Sequence, residues 1–462
     1  MIGTAVRRPS ALEPRRATPP AVRIGLQHPL PLPVLVLSAS VDIPTLFRVN
    51  RDFRYLFSAR LVSLFGDWFN TLAVLALLRS LGHADASDFG WIVILKTLPT
   101  LFASPIAGVL ADRLPRKSIL IAADVIRAGL VFAMLGQLIW PSVSVLYMLV
   151  ALQCVVSAFF EPARTAMLPD IVRPEELTAA NAIGAAAWST MLALGAALGG
   201  LVTASMGWEV ALGLDVATYL FSAVLLLRVR VPRRARPPRP SGWRQWTGVD
   251  ALVEGFAYLR THPRVASLAL VKTGWQVAGS VTLVLTVLGE RIFPVAGEAM
   301  LGVAVLYTAR GVGTGVGPFV ARWLAGEDRG QMERLILYGF GCGAVFYACL
   351  PVAPTVWVAA LFVLLAHLGG ATVWVFSTVR LQQVVPEAVR GRVFAAENAS
   401  FMLAMTISTG VWGELIDLDR MPVQTLSGGL GLLLAIPAAL WALRGMRLGW
   451  GDPPLKTPPV SR

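Results

Sequence analysis

The chain has 462 residues, 56% of them hydrophobic and 15% charged, with a mean hydropathy of +0.66. Soluble domains carry about 25% charged residues, so water is excluded as the main solvent, and no stretch is left over for a soluble catalytic domain. The net charge of +13 does not point to nucleic acid, because a phosphate-binding stripe gathers on one folded surface, whereas these cations collect in short connections between apolar runs.

Residues 1–49 are rich in Arg and Pro, with Arg7, Arg8, Arg15, Arg16 and the run Pro29 to Pro33. Such a composition buries no core, and a disordered tail is expected. The apolar stretch Leu30 to Ser40 is broken by prolines and followed at once by a long span, so it is not read as a signal peptide.

A membrane-crossing helix needs roughly 20 apolar residues. Twelve windows of that length are expected, at 56–79, 89–111, 118–139, 142–165, 178–204, 208–229, 265–289, 298–324, 332–351, 355–380, 392–416 and 424–447. They divide the chain into a six-helix bundle at 50–229, a basic linker at 230–263, a second six-helix bundle at 264–447 and a tail at 448–462. The linker carries Arg230, Arg233, Arg234, Arg236 and Arg239, then an amphipathic run from Val249 to Tyr258 suited to a membrane surface. The expected fold class is therefore an all-α membrane protein of twelve transmembrane helices.

An internal repeat supports the halving. Pro105 and Pro318 lie 213 residues apart in corresponding second helices, and Leu168 with Leu381 and Val172 with Val385 share that offset. Two pseudo-symmetric bundles that hold substrate between them near the midplane are the arrangement of parallel-repeat transporters. Lysines and arginines favour cytoplasmic connections. With the N-terminus inside, 33 of the 40 fall in inside segments, 3 (Arg79, Arg291, Arg420) outside and 4 within spans. Both termini are expected to be cytoplasmic, in the inner membrane of a cell.

The three cysteines, Cys154, Cys342 and Cys349, sit in apolar windows without zinc spacing or a disulfide framework. They read as packing residues, and no metal or cofactor is expected. A Walker loop is missing from the sequence, which argues against ATP hydrolysis within this chain.

The connection after the second window reads Gly108-Val-Leu-Ala-Asp112-Arg113-Leu-Pro115-Arg116-Lys117-Ser-Ile-Leu120. It resembles the signature loop of the major facilitator superfamily, departing at Pro115, where the family carries glycine. Phe160-Glu161-Pro162-Ala163-Arg164 through Leu168-Pro169-Asp170 to Ala180-Asn181, and Val385-Pro386-Glu387 through Arg390-Gly391-Arg392-Val393, are similar to the branch that holds enterobactin exporters and macrolide efflux proteins. The resemblance covers residues 50 to 447. It implies the major facilitator fold and alternating access, with the Asp112 carboxylate latching the halves by lying near the positive N-terminal end of helix 11, which begins near Arg392. The other reading of Asp112 is a solvated, topology-setting loop. Arg116, Lys117, Asp124, Arg127, Glu161 and Arg164, with Arg390 and Arg392, are expected to form a charge network on the cytoplasmic face. Helix 5 departs from the family's antiporters, since Ala196 and Ala197 stand without the proline of their Gly-Pro pair.

Asp67 lies about eleven residues into the first window, where a bare carboxylate costs roughly 2.5 to 3.5 kcal/mol and is rarely idle. It is expected either to couple protons or face substrate, or to make a structural ion pair. Lys96 and Arg310 sit nine and eight residues before the matched prolines, so each half places a cation at nearly the same depth. They either face a central cavity and attract an anionic group, or pair with buried neighbours. Lys272, Asp215, Glu397 and Glu414 are weaker candidates, and His367 reads as a packed histidine. Gly195, Gly199 and Gly200, and Gly311, Gly313, Gly315 and Gly317, are expected to form close helix seams. Trp68, Trp91, Trp275 and Trp374 line a cavity or anchor the interface.

The expected function is secondary, proton-driven export of a small amphipathic molecule such as a drug, macrolide or siderophore. Its expected partners are that small-molecule substrate, protons and membrane lipid, with no nucleic acid, and the chain is expected to be monomeric and not an enzyme. Nutrient import on the same fold is the alternative. Lipid scrambling and membrane-embedded catalysis are readings from other classes, the latter wanting an acidic or histidine-rich cluster that four histidines do not supply.

Overall fold

The computed structural model describes residues 43–173, 176–231, 247–277, 279–326, 328–418 and 422–451, together with Gly3; the side chains at 43–45, 112, 178, 179, 182 and 185 fall outside that description. Among the described residues, twelve helices are long and apolar enough to cross a membrane. They are α1 Arg51–Ser80, α2 Ala86–Ala111, α3 Arg116–Leu138, α4 Val143–Ile171, α5 Ala186–Met206, α6 Trp208–Leu227, α7 Val271–Ile292, α8 Ala299–Ala325, α9 Arg329–Val352, α10 Val356–Val384, α11 Glu387–Asp417 and α12 Val423–Leu448. Among the described residues the only strand-like feature is one isolated bridge between Val295 and Glu298.

Helix starts are set by polar caps that satisfy the first free N–H groups. Asn50 Oδ1 accepts from Phe53 N at 2.9 Å, and Asp328 Oδ1 accepts from Gln331 N at 2.6 Å. Gly207, with φ +91°, makes the sharp turn between α5 and α6 that an L side chain resists. Because the short connections alternate, Gly82 marks one end of the bundle and Arg113 the other.

Several helices outrun their apolar windows at the Arg113 end. α1 begins at Arg51 rather than 56, α4 ends at Ile171 rather than 165, and α10 ends at Val384 rather than 380. Hydrophobicity marks the hydrocarbon thickness, whereas backbone hydrogen bonding continues the helix through charged turns beyond it. α2 is interrupted at Lys96–Thr97, between Ala86–Leu95 and Leu98–Arg113. α7 is likewise broken, into Val271–Val277, Val281–Val287 and a π-turn at Leu288–Ile292.

α1 packs on α5 and α6, α3 on α4 and α6, α8 and α9 on α10, and α9 on α12. The first six spans meet the last six along α5 with α8 and α2 with α11, and Val41–Arg462 form one compact unit. Small residues allow the α5–α8 approach, as expected in lipid. A Cβ on Gly200 would stand 2.2 Å from Ala304 Cβ, and one on Gly311 2.5 Å from Ala193 N. Alternate glycines of α8 face the other way, with Gly313 and Gly317 against Leu364, Leu368 and Ala371 of α10.

The amphipathic run forms a helix, Val249–Thr261, and packs on α11, where a Cβ on Gly255 would meet Arg392 O at 2.1 Å. The tail expected to be disordered through residue 49 is already helical at Ile43–Val49, with Leu46 fully buried and Phe47 edge-on to Phe53 and Phe57. Apolar side chains there extend the core before the first span begins. Residues 4–42, 232–246 and 452–462 lie outside the described residues.

Candidate transport site

The polar groups in the middle of the first six spans converge on Asp67. Its carboxylate, 37% exposed, accepts the Tyr219 hydroxyl from α6 and lies 3.9 Å from Arg127 Nη1 of α3. Arg127 is 3% exposed, donates to Asp124 and to Ser63 Oγ (3.3 Å), and sits between the rings of Tyr219 and Phe160, 4.3 and 4.8 Å from their centroids. Ser222 Oγ donates to Asp124 Oδ2 at 2.6 Å, and Gln153 Nε2 of α4 donates to Tyr219 Oη at 3.1 Å. Three helices thus meet at one partly exposed carboxylate, and α4 joins them through Tyr219.

Lys96 stands beside this cluster at the break in α2. Its Nζ donates to Asn70 Oδ1 (3.1 Å) and Thr71 Oγ1 (2.9 Å), and its carbonyl accepts from Cys154 Sγ at 2.9 Å. The interruption leaves that carbonyl free for a side-chain partner. Lys96 of α2 is therefore held by α1 residues one turn from Asp67, without forming a direct ion pair with it. Arg310 donates through Nη1 to Thr282 Oγ1 of α7 at 2.9 Å. Lys272 pairs with Glu397 at 2.9 Å, donates to Thr378 at 2.8 Å and lies 5.6 Å from the Trp374 ring centroid.

The charge network expected on one face is divided. Asp124 and Arg127 lie eight and eleven residues beyond Arg116, which at 1.5 Å per residue carries them about 12 to 17 Å into the bundle and to the depth of Asp67. Nearer the Arg113 end, Glu161 bridges Arg60 (2.8 Å) and Arg164 (2.9 Å), and Arg60 also donates to Gly184 O. Arg116 ties Asp170 (2.6 Å) to the Ala166 carbonyl, and Lys117 donates to Leu227 O and Val229 O at the C-terminal end of α6, where a cation is favoured. Arg390 donates to Val385 O at 3.4 Å, and Arg392 pairs with Glu254 of the linker helix at 2.8 Å. A Cβ on Gly108 would meet nothing within 4 Å. Arg113 closes its helix, and the Asp112 side chain lies outside the described residues.

Sequence reasoning missed the joints at the Gly82 end. Asp417, in the last turn of α11, accepts from the N–H groups of Ala86 (2.7 Å) and Ser87 (2.6 Å) at the start of α2. Arg291 donates to Ala84 O at 2.7 Å, and Arg79 pairs with Glu290 at 3.4 Å. It also missed a buried triad in which Glu333 of α9 joins Arg380 of α10 and Arg444 of α12. Its Arg and Glu residues stand near span ends, where the sequence alone suggests solvated charges.

Residues 56–409 match the family model of the Major Facilitator Superfamily. The chain belongs to the Major Facilitator Superfamily. Among its relatives, "Uncharacterized MFS-type transporter YkuC" of Bacillus subtilis is 28% identical over 223 residues, a match covering 47% of this chain and 52% of that protein. "Putative bacilysin exporter BacE" of the same species is 25% identical over 395 residues, covering 84% of this chain and 92% of that one. "Macrolide efflux protein A" of Streptococcus pyogenes is 24% identical over 360 residues, covering 74% and 84%. A solved mutant form of the nucleoside transporter NupG shares the fold, with TM-score 0.67 at 13% identity over 86% of this chain and 98% of that one. This member of the superfamily is thus a multi-pass membrane transporter of small molecules and not an enzyme.

Proposed function

We propose that this transporter exports a small amphipathic molecule, a drug, macrolide or siderophore, by alternating access in exchange for protons. The reading rests on Asp67. A carboxylate at mid-span, still partly exposed yet tied to a tyrosine and a shared arginine from two other helices, is suited to change protonation as the helices move against one another. Lys96 beside it and the broken α2 and α7 supply the irregular backbone and charge with which transporters bind substrate. The export direction is supported by the names of two relatives, the bacilysin and macrolide proteins. The distribution of lysine and arginine supports an inner-membrane placement with both termini cytoplasmic, which puts the Gly82 end outside.

The joints made by Asp417, Arg291 and Glu290 then close the outer end, so the exposed Asp67 carboxylate is approached from the cytoplasm. Opening outward requires these joints to break and the α5–α8 and α2–α11 seams to rock. The test is uptake of a small panel of amphipaths, erythromycin among them, into energised everted vesicles with and without a protonophore. Uptake that the protonophore abolishes is expected; uptake indifferent to it contradicts the reading.

A further inference from the structure

Asp215 of α6 stands one turn before Tyr219 and is 0% exposed. Its Oδ1 receives only the Thr218 hydroxyl at 3.4 Å, and that hydroxyl is already directed at the Asp215 carbonyl, 2.8 Å away. Among the described residues its Oδ2 has no hydrogen-bond partner. The α1 backbone closes over the group at Gly66, where a Cβ would stand 1.9 Å from Thr218 Oγ1 and 2.4 Å from Asp215 Oδ1. The carboxyl is therefore sealed without a donor on one of its oxygens.

The charges around it do not supply a counter-ion. Asp67 of α1, Lys96 of α2 and Arg127 of α3 act on it electrostatically, while α5 has no charged residue between Ala186 and Met206. Arg127 is shared by Asp124 and Asp67, and Lys96 is directed at Asn70 and Thr71. Both cations are thus engaged by other groups, and Arg60, a further cation acting on Asp67, is held by Glu161 at 2.8 Å. An ionised Asp215 would be a buried charge with no cation directed at it, and an isolated buried carboxylate takes up a proton instead.

We propose that Asp215 is a proton-carrying residue of this transporter, held as the neutral acid while α1 covers it. When α1 moves off α6 within the first six spans, a step besides the rocking of the two sets, the Asp215 Oδ2–H bond breaks, the proton passes to water, and the carboxylate remains until a proton returns before closure. The bound proton thereby belongs to the closed seam, next to the exposed Asp67 carboxyl. The proposal rests on the proton-coupled reading above and adds Asp215 to Asp67 as a proton-carrying group.

The test is infrared spectroscopy of the purified full chain in an ester-free detergent near neutral pH, comparing wild type, Asp67→Asn and Asp215→Asn. A protonated-carboxyl carbonyl band that shifts in D2O is expected in wild type, retained in Asp67→Asn and reduced by one carboxyl per chain in Asp215→Asn. Asp215→Glu, which keeps the acid should the amide variant fail to fold, is expected to shift the band without removing it. A band unchanged by both Asp215 substitutions overturns the proposal, as does loss of the wild-type band on adding sodium at constant pH. The readout needs no substrate. If no amphipath moves while the band behaves as described, the export reading fails; if uptake is stopped by the protonophore while the band ignores Asp215, this proposal alone fails.

Discussion

The carboxylate of Asp417 accepts from the backbone N–H of Ser87 at 2.6 Å, so the last turn of α11 caps the first turn of α2 across the two sets of six spans. It accepts from Ala86 N as well, at 2.7 Å. Loss of a helix cap costs about 0.5 to 2 kcal/mol, so Asp417→Ala is expected to raise the population open at the Gly82 end by roughly 2- to 30-fold. Spin-label distances across Gly82 and Leu418 check this; an unchanged distribution would show that the cap does not hold that end.

Close approach of α5 and α8 depends on hydrogen atoms where other residues carry Cβ. Gly311→Val places its branch against Ala193 N and Cα, 2.5 and 2.7 Å from the Cβ position, and overpacking of this kind costs about 1 to 3 kcal/mol. Gly341→Ala, with nothing within 4 Å, is expected to be neutral. Thermal unfolding of the two variants in detergent separates a packed seam from a general intolerance of substitution.

Glu333 is the common acceptor of Arg380 and Arg444, with all three side chains at 7% exposure or less. Removing one partner of a buried ion pair costs about 3 to 5 kcal/mol. Glu333→Gln, which takes the carboxylate from both guanidinium groups, is expected to lose that much, and Arg444→Met less, because Arg380 still neutralises Glu333. Equal stability of Glu333→Gln and wild type would contradict a structural role for the triad.

Outside the spans, donation from the Arg173 side chain lowers the Glu176 carboxyl below the usual carboxylate range; burial opposes this, while the Arg173 N–H and charge add to it. A depressed folded value means that the contact stabilises fully above the unfolded pKa of about 4.3. Its contribution is lost as pH falls below that value and through the lower folded one. Glu176→Gln is therefore expected to lower the thermal midpoint at pH 7 and to converge with wild type in acid; a constant difference across pH would contradict the linkage.

The twelve spans were legible because hydrocarbon demands a long apolar stretch for each crossing, and Asp67 because a charge at that depth stands out. Its partners did not. Tyr219 is separated from Asp67 by 152 residues and, like Gln153 and Ser222, carries no charge to distinguish it from packing. Asp124 and Arg127 stand out in the sequence too, yet their spacing fixes only their contact with each other one turn apart and not their depth beside α1, so they read as part of the signature-loop face. Asp417 looked like any acidic residue at a helix end; only the arrival of α2 gives it two N–H groups to hold.

The central claim is that protons move through the Asp67 cluster as substrate leaves. The most direct measurement records lumenal pH in everted vesicles loaded with acid while a transported amphipath is added, for wild type and Asp67→Asn matched for membrane insertion. Substrate-dependent alkalinisation in wild type, absent in Asp67→Asn, is the expected result. Equal proton release from both chains would contradict the claim.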